Sequence, residues 1–289
     1  MDARLAVIVL GLVALAATFG YWTIVITEGA YFGRRLVSYL YDRGAETYDD
    51  VKELDPAEDG WFLGVPMARN LEEIRQPLVL DVATGTGRMG LGLLRQLTFD
   101  GQVVGLDVSR EMLEIARQKA QRYTGRVTLI WKDATELPFA SESFDAVACV
   151  EALEFLPDPT TTLTEMVRVL RPGGPFLVTN RIGWERFLMP GRAFTPRKLE
   201  SMLADLGLTE VWTKPWQTYY DLIWARRPGT LANRGTPPAL IEILRCPHCD
   251  HLPLDDSDRA LMCPACGCRF QWNQGILDLG GQNWCIKNS

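Results

Sequence analysis

The distribution of apolar residues divides the chain into regimes. Residues 5–26 contain no charged side chain and are apolar on every face, with Arg4 and Glu28 at the borders. Beyond Pro77, short apolar runs alternate with stretches in which apolar residues recur at helical spacing. The runs at 78–82, 103–107, 127–131, 144–150 and 176–179 read as buried strands, and 211–212 and 219–225 as two more. Helices are expected at 89–97, 110–123 and 163–170. A further helix starts at Thr195, a capping residue followed by Pro196 at the first helical position, and stops at Gly207. Ser109 caps the second helix, with Glu111 in its first turn. Strands that alternate with helices predict an α/β fold with a doubly wound sheet. Such a sheet binds its ligand at the carboxyl ends of the strands.

As a helix, residues 5–26 span roughly 33 Å, close to the ~30 Å hydrocarbon core of a bilayer. Tyr21, Trp22, Tyr31 and Phe32 fall where an aromatic belt and an interfacial helix belong. Arg34, Arg35 and Arg43 follow the segment, against Arg4 before it, which orients the bulk of the chain toward the cytoplasm. A cleaved signal peptide, with Ala14-Leu15-Ala16 as its cleavage site, and a buried core helix are the competing readings. The apolar run continues well past that site and leaves no polar face, so a single-pass transmembrane anchor over 1–28 is expected.

The remainder has the composition of an ordinary globular protein, 47% hydrophobic and 23% charged over the whole chain. A net charge of -6 with no basic run argues against a nucleic-acid partner, whose phosphates demand Lys and Arg. Four of the seven cysteines form two knuckles, Cys246-Pro247-His248-Cys249 and Cys263-Pro264-Ala265-Cys266. Paired knuckles bring four thiolates into a tetrahedron suited to Zn²⁺, and four protein ligands leave no open position, so the metal is structural. This usage suits a reducing compartment. Cys268 and His248 are spare donors, and Cys149 and Cys285 ordinary thiols. The Gly- and Pro-containing stretch before the knuckles reads as a linker.

The chemistry concentrates at Gly85-Thr86-Gly87-Arg88-Met89-Gly90, with Asp107 twenty residues beyond Gly87. Alone, this spacing also fits a dinucleotide-binding dehydrogenase, whose pyrophosphate rests on the following helix N-terminus. Asp81 discriminates. A carboxylate at the end of the first strand repels a pyrophosphate but suits a ligand that carries an ammonium and a sulfonium.

At these residues the chain resembles the class I S-adenosylmethionine-dependent methyltransferases, Rossmann-like in fold, and within them the ubiquinone/menaquinone biosynthesis type. Asp81-Val82-Ala83-Thr84-Gly85-Thr86-Gly87 matches the first family motif, and Val104 through Leu113 the second. Asp133-Ala134, Leu137-Pro138-Phe139 and Phe144-Asp145 match the stretch that closes over adenine. Arg168 through Gly174 matches the turn before strand five, and Tyr41-Asp42 and Tyr48-Asp49 fit upstream. The resemblance implies that Asp81, Ala83, Gly85 and Gly87 form the cofactor loop, that Asp107 accepts from the ribose hydroxyls, and that Val108 and Met112 pack on adenine. Asp133 would accept from the adenine amino group, with Ala134 beside it. Both histidines lie near the knuckles, so a base, where one is needed, is sought at Glu151, with Glu154 nearby and Tyr48 closing over the site. The segment from Leu244 to Asp278 resembles the small zinc-ribbon proteins that activate RNA- and protein-modifying methyltransferases, which implies docking on the catalytic domain in cis. Its side chains are acidic (Glu242, Asp250, Asp255, Asp256, Asp258 and Asp278 against Arg245, Arg259 and Arg269), which speaks against gripping RNA.

The expected organisation is an anchor at 1–28, interfacial and N-terminal helices covering the active site at 29–76, a methyltransferase domain at 77–226, a linker at 227–239, a zinc ribbon at 240–280 and a tail at 281–289. The expected function is methyl transfer from S-adenosylmethionine to a lipophilic small molecule, a quinone precursor or lipid, at the membrane. Trp184, Phe187 and Phe194 suit an apolar acceptor. The alternatives are an RNA- or protein-modifying methyltransferase with its activator in cis, and a catalytically silent membrane scaffold.

Overall fold

The apolar runs form parallel strands because both faces of each are covered, which is why they show no hydrophobic–polar alternation. In the computed structural model, which describes residues 3–257 and 260–280, β1 (Leu78–Val82) is buried at every position and pairs with β2 (Gln102–Asp107) and β4 (Ala146–Cys149). Outward from these lie β3 (Val127–Trp131) beside β2 and β5 (Pro175–Arg181) beside β4, all parallel. β6 (Thr209–Pro215) and β7 (Tyr220–Arg226) form an antiparallel hairpin along β5. The order 6-7-5-4-1-2-3 puts the reversal of strand order between β1 and β4, so a ligand crevice opens above their carboxyl ends.

Helix α1 (Ala3–Tyr21) continues through a π-helical turn, Trp22–Ile26. The combined segment, Ala3–Ile26, is long and apolar enough to cross a membrane, with a mean hydropathy of 2.1 and none of its most apolar stretch buried against the rest of the protein. Its foot is fixed. The indole of Trp22 donates to the Leu188 carbonyl (2.9 Å), Tyr31 to the Pro190 carbonyl (2.8 Å), and Ile26 and Ala30 pack with Phe155 and Met189. Helix α2 (Arg34–Gly44) then crosses the carboxyl end of the sheet. Asp42 on α2 accepts from the Ser109 hydroxyl (2.6 Å) and the Glu111 N–H (3.3 Å).

Helix α3 (Arg88–Leu94) follows β1, and α4 (Arg110–Lys119) follows β2 with the Ser109 hydroxyl accepting from the Met112 N–H at 3.2 Å. The stretch expected to be helical to 123 ends in a 3-10 turn, Gln121–Tyr123. Helix α5 (Pro159–Val169) starts earlier than periodicity suggests. Asp158 accepts from the Thr160 and Thr161 N–H groups, and this cap outweighs the poor helical preference of four threonines. Helix α6 (Pro196–Asp205) begins on its Thr195 cap. Residues 60–70 pack tightly on α3. A Cβ on Gly64 would stand 2.1 Å from the Gly92 carbonyl oxygen, so glycine is required there.

Beyond Arg226 the chain does not hang free. Arg227 exchanges backbone hydrogen bonds with Gly173 and Gly174, and Arg234 reaches Asp145 at 3.0 Å. Four strands follow: β8 (Asp255–Ser257), β9 (Ala260–Met262), β10 (Arg269–Asn273) and β11 (Ile276–Asp278). β8 to β11 are antiparallel to one another, but β11 lies parallel to β3, pairing Ile276 with Leu129, Leu277 with Ile130 and Asp278 with Trp131. The result is one 11-stranded sheet. Leu277 and Phe270 are buried in the same core as β1, β4 and β5. A second contact joins the Ala140 N–H to the Ile243 carbonyl (2.8 Å) and the Arg245 N–H to the Pro138 carbonyl (2.9 Å).

Candidate functional site

A cavity of about 840 Å³, counting its open mouth, lies above the carboxyl ends of β1, β2 and β4, where the topology directs a ligand. Among the residues named from sequence, Ala83, Gly85, Asp107, Val108, Asp133, Ala134, Tyr48 and Glu151 line it. Ala83 (φ 53°) and Glu151 (φ 52°), just past the ends of β1 and β4, hold left-handed backbone conformations that non-glycine residues rarely take. Strain of this kind persists where the surroundings over-determine it, commonly at ligand sites.

Asp107 is buried at the end of β2. One carboxylate oxygen accepts from the Gly85 N–H and the other from the Ser109 N–H, both at 2.8 Å. Burial pushes its pKa up to about 6, against those two N–H groups, which favour the charged form. Each oxygen retains a lone pair for a further donor. Gly85, at φ 53°, has nothing within 4 Å of where a Cβ would stand, so the loop presents bare backbone to open space.

Asp81 does not line the cavity. Its carboxylate lies beneath the loop, accepting from the Thr84 hydroxyl (2.6 Å) and from the Gly90 N–H (3.1 Å), and burial lifts its pKa to about 6. The carboxylate therefore meets the start of the helix rather than a ligand in the cavity. A dehydrogenase sets a pyrophosphate on the first N–H groups of this helix, and here an Asp carboxylate already sits on one of them. Met112 is also absent from the cavity wall and faces a neighbouring space. Gly87 lies below the loop at φ 90° and serves its turn.

Asp133 accepts from the Thr135 N–H (3.1 Å) and pairs with Arg34 of α2 at 2.6 Å. Burial would raise its pKa, but Lys132, the Thr135 hydrogen bonds and Arg34 outweigh burial and hold the carboxyl below its usual range. Glu151 is bound by Arg88 at 2.5 Å, and Arg88 also grips Asp59 at 2.6 Å while its guanidinium lies over the Trp216 ring. With its amide turned to satisfy both neighbours, Gln217 donates to Glu151 (2.7 Å) and accepts from Arg88 (2.8 Å). Glu154 does not line the cavity. It is buried against Tyr220, which donates to it at 2.5 Å, and burial raises its pKa. Tyr48 lines the cavity, and its hydroxyl donates to no described residue. Burial and the neighbouring Glu28 and Glu151 raise its pKa, so the phenol stays protonated.

Arg34, Tyr41, Arg88, Lys132 and Phe155 line the cavity although sequence reasoning gives them no role there. In the sequence Arg34 counts only toward membrane orientation. Arg88 occupies a variable position of the glycine loop, and its partners Asp59, Glu151 and Trp216 are far away in sequence.

In the ribbon, the Sγ atoms of Cys246, Cys249, Cys263 and Cys266 all lie within 4.8 Å of one another, with Cys246–Cys266 at 3.6 Å and Cys249–Cys263 at 3.5 Å. A tetrahedral Zn–thiolate site with bonds of ~2.3 Å has edges of roughly 3.8 Å, so the cluster fits such an ion. Cys268, a spare donor in the sequence reading, places its sulfur 3.2 Å from that of Cys266. Asp258, Arg259, Cys285 and the tail at 281–289 lie outside the described residues.

Residues 79–174 match a family described as methyltransferase domain. This stretch contains the glycine loop, Asp107, Asp133 and Glu151. Over 112 residues the chain is 39% identical to a demethylmenaquinone methyltransferase from Porphyromonas gingivalis, covering 38% of this chain and 46% of that protein. Over 148 residues it is 36% identical to the demethylmenaquinone methyltransferase of Symbiobacterium thermophilum, covering 49% and 57%. The chain thus spans about half the length of these curated relatives. Among solved structures, the [4+2]-cyclase SpnF superposes with a TM-score of 0.55 at 20% identity, covering 68% of this chain and 97% of that one. A chain from a complex containing the Haloferax volcanii Trm112 methyltransferase activator superposes with a TM-score of 0.52 at 23% identity, covering 65% and 98%. These likenesses establish the Rossmann-like methyltransferase fold. That one neighbour is a cyclase illustrates that the fold alone does not assign a reaction.

Proposed function

We propose that the chain is an S-adenosylmethionine-dependent methyltransferase that acts on a lipophilic small molecule, a quinone precursor or lipid, at a membrane. One observation carries the reading. A buried carboxylate at the end of β2 is pinned by the loop it serves, beside a glycine that opens onto free space, and this is a fit for a ribose diol next to exposed backbone. Asp107 would accept from the ribose hydroxyls, Val108 and Ala134 would flank the adenine, and Asp133 would accept from its amino group once Arg34 yields. The bound cofactor supplies a methyl group already activated by its sulfonium. What remains for the protein is to position the acceptor and exclude water.

Tyr48 offers its phenol hydrogen to an acceptor oxygen and so orients it. Glu151 is the carboxylate that takes a proton from an acceptor arriving protonated, and Arg88 and Gln217 keep it aimed. Helix Ala3–Ile26 anchors the chain with the catalytic domain on the cytoplasmic side, supported by the arginines that follow it. The four cysteines hold a structural Zn²⁺, and the ribbon serves the catalytic domain in cis. The β3–β11 pairing supports that docking. The quinone-methyltransferase relatives support the acceptor class.

The test has two steps. Calorimetry of the full chain with S-adenosylmethionine and, separately, NAD should show binding of the first alone. Incubation of membrane extract with methyl-labelled cofactor should then place label in the organic-soluble fraction. Label confined to RNA or protein would transfer the reading to the macromolecular alternative, and failure to bind S-adenosylmethionine would leave a scaffold.

A further inference from the structure

A second space lies directly behind the first. It is lined by Ile24, Val25, Leu40, Gly44, Val51 and Met112, with Glu28, Thr47 and Lys52 at its polar side, and Tyr41 and Tyr48 belong to the walls of both cavities. Those two rings, with centroids 6.0 Å apart, are the partition. The Tyr41 hydroxyl is held by Glu28, which in turn pairs with Lys52 at 3.6 Å. The Tyr48 hydroxyl makes no such bond to a described residue, and its ring meets the Lys52 ammonium at 5.8 Å from the centroid, so this leaf of the partition is held less tightly than the other. Ile24 and Val25 come from the last turn of the apolar helix Ala3–Ile26 and are more than half exposed.

We propose that this second space is an access port for the apolar chain of a membrane-resident acceptor, with Tyr48 as the movable partition between the port and the methyl-donor cavity. The inference rests on the methyltransferase reading above for its acceptor class, and on geometry for its location. An apolar chain leaving a bilayer along the foot of the anchor meets Ile24 and Val25 first, then Leu40, Val51 and Met112. It then lies against Tyr48, with Glu28, Thr47 and Lys52 on the polar side of the space. The polar end of the acceptor then faces the donor cavity, while the apolar chain remains behind it.

Gly44 gives a clean test. It lines the port, nothing lies within 4 Å of its Cβ direction, and its φ of -92° is open to any residue. Gly44→Phe fills the port without touching the donor cavity. The full chain in phospholipid vesicles would be photolabelled with a diazirine-bearing C20 prenyl alcohol and the adducts mapped by mass spectrometry. S-adenosylmethionine affinity would be measured on the same preparations. The expected result is labelling within 40–51 that falls at least tenfold in Gly44→Phe and persists in Gly44→Ala, with cofactor affinity unchanged within twofold. Labelling confined to 3–21 in the wild type, or labelling at 40–51 undiminished in Gly44→Phe, would overturn the port. Should Gly44→Phe misfold, as seen by lost cofactor affinity, Val51→Trp occupies the same space from the other wall and must give the same loss. If the wild type fails to bind S-adenosylmethionine, the methyltransferase reading fails while the labelling pattern still decides whether the port exists.

Discussion

Replacing Asp107 with asparagine tests the cofactor site most directly. The carboxylate receives one backbone N–H on each oxygen, from Gly85 and Ser109. An amide can accept only one of them and turns its NH₂ toward the other, leaving a buried donor unmatched at a cost of about 1–3 kcal/mol in stability. The variant should melt a few degrees lower, since ~1 kcal/mol shifts a domain of this size by roughly 2–4 °C. Cofactor binding should lose more. Two charge-assisted hydrogen bonds to a ribose diol become weaker or are lost, together about 3 kcal/mol, or roughly 150-fold in affinity. The wild type should also show a pH signature. With the Asp107 pKa lifted to about 6 in the free protein, a proton competes with the ribose below that pH. Affinity should be level from pH 7 to 8 and fall about tenfold by pH 5, while the Asp107→Asn variant gives a flat profile. Folding stability runs the opposite way. The folded carboxyl binds its proton more tightly than the unfolded one, so this residue makes the empty protein more stable as pH falls from about 6 toward 4, and Asp81 acts in the same sense. Calorimetric titration of wild type and variant between pH 5 and 8 checks both. Binding by Asp107→Asn within threefold of wild type at pH 7.5, or a level wild-type profile down to pH 5, would refute the assigned role.

Three further outcomes are expected. Arg88→Met strands Asp59 and Glu151 without their shared counter-ion and should cost about 3–5 kcal/mol in urea unfolding. Cys263→Ser should lower zinc, measured by atomic emission, from one ion per chain. It should also lower the melting point of the whole molecule in a single calorimetric transition, because Phe270 and Leu277 share the main core. Deleting residues 3–21 should move the protein from the membrane pellet to the supernatant, with cofactor affinity retained, since that helix touches none of the cavity wall.

The parallel sheet was legible because its strands are uninterrupted apolar runs punctuated by Gly, Pro and capping residues, and local chemistry sets those features. β1 and β3 appear at the residues expected. The strand edges were less clear. β5 runs on to Arg181 because the hairpin partner β7 continues its ladder, which no local pattern announces. At the site, the residues carried on motif loops were readable, whereas those delivered by tertiary contact were not. Asp81 shows the difference. Its position in the motif was plain, but whether its carboxylate faced the ligand or the helix beneath depended on Thr84 and Gly90. Arg34 carries no signature beyond its charge and is brought to the cavity by α2, and Arg88, though it stands in the glycine loop, takes its role from Asp59, Glu151 and Trp216, which are distant in sequence. The joining of β11 to β3 was equally hidden, since three residues of strand say nothing about their partner.

That joining has a consequence for biogenesis. On its own, β3 is a bare hydrogen-bonding edge, the kind of surface on which unfinished chains stick to one another. Its cover is made more than a hundred residues downstream, so a growing chain leaves the ribosome with the sheet unfinished on that side. Whatever delays the gathering of the four cysteines prolongs this interval. The yield of well-formed protein in a cell should therefore follow metal supply more closely than the life of the finished molecule does.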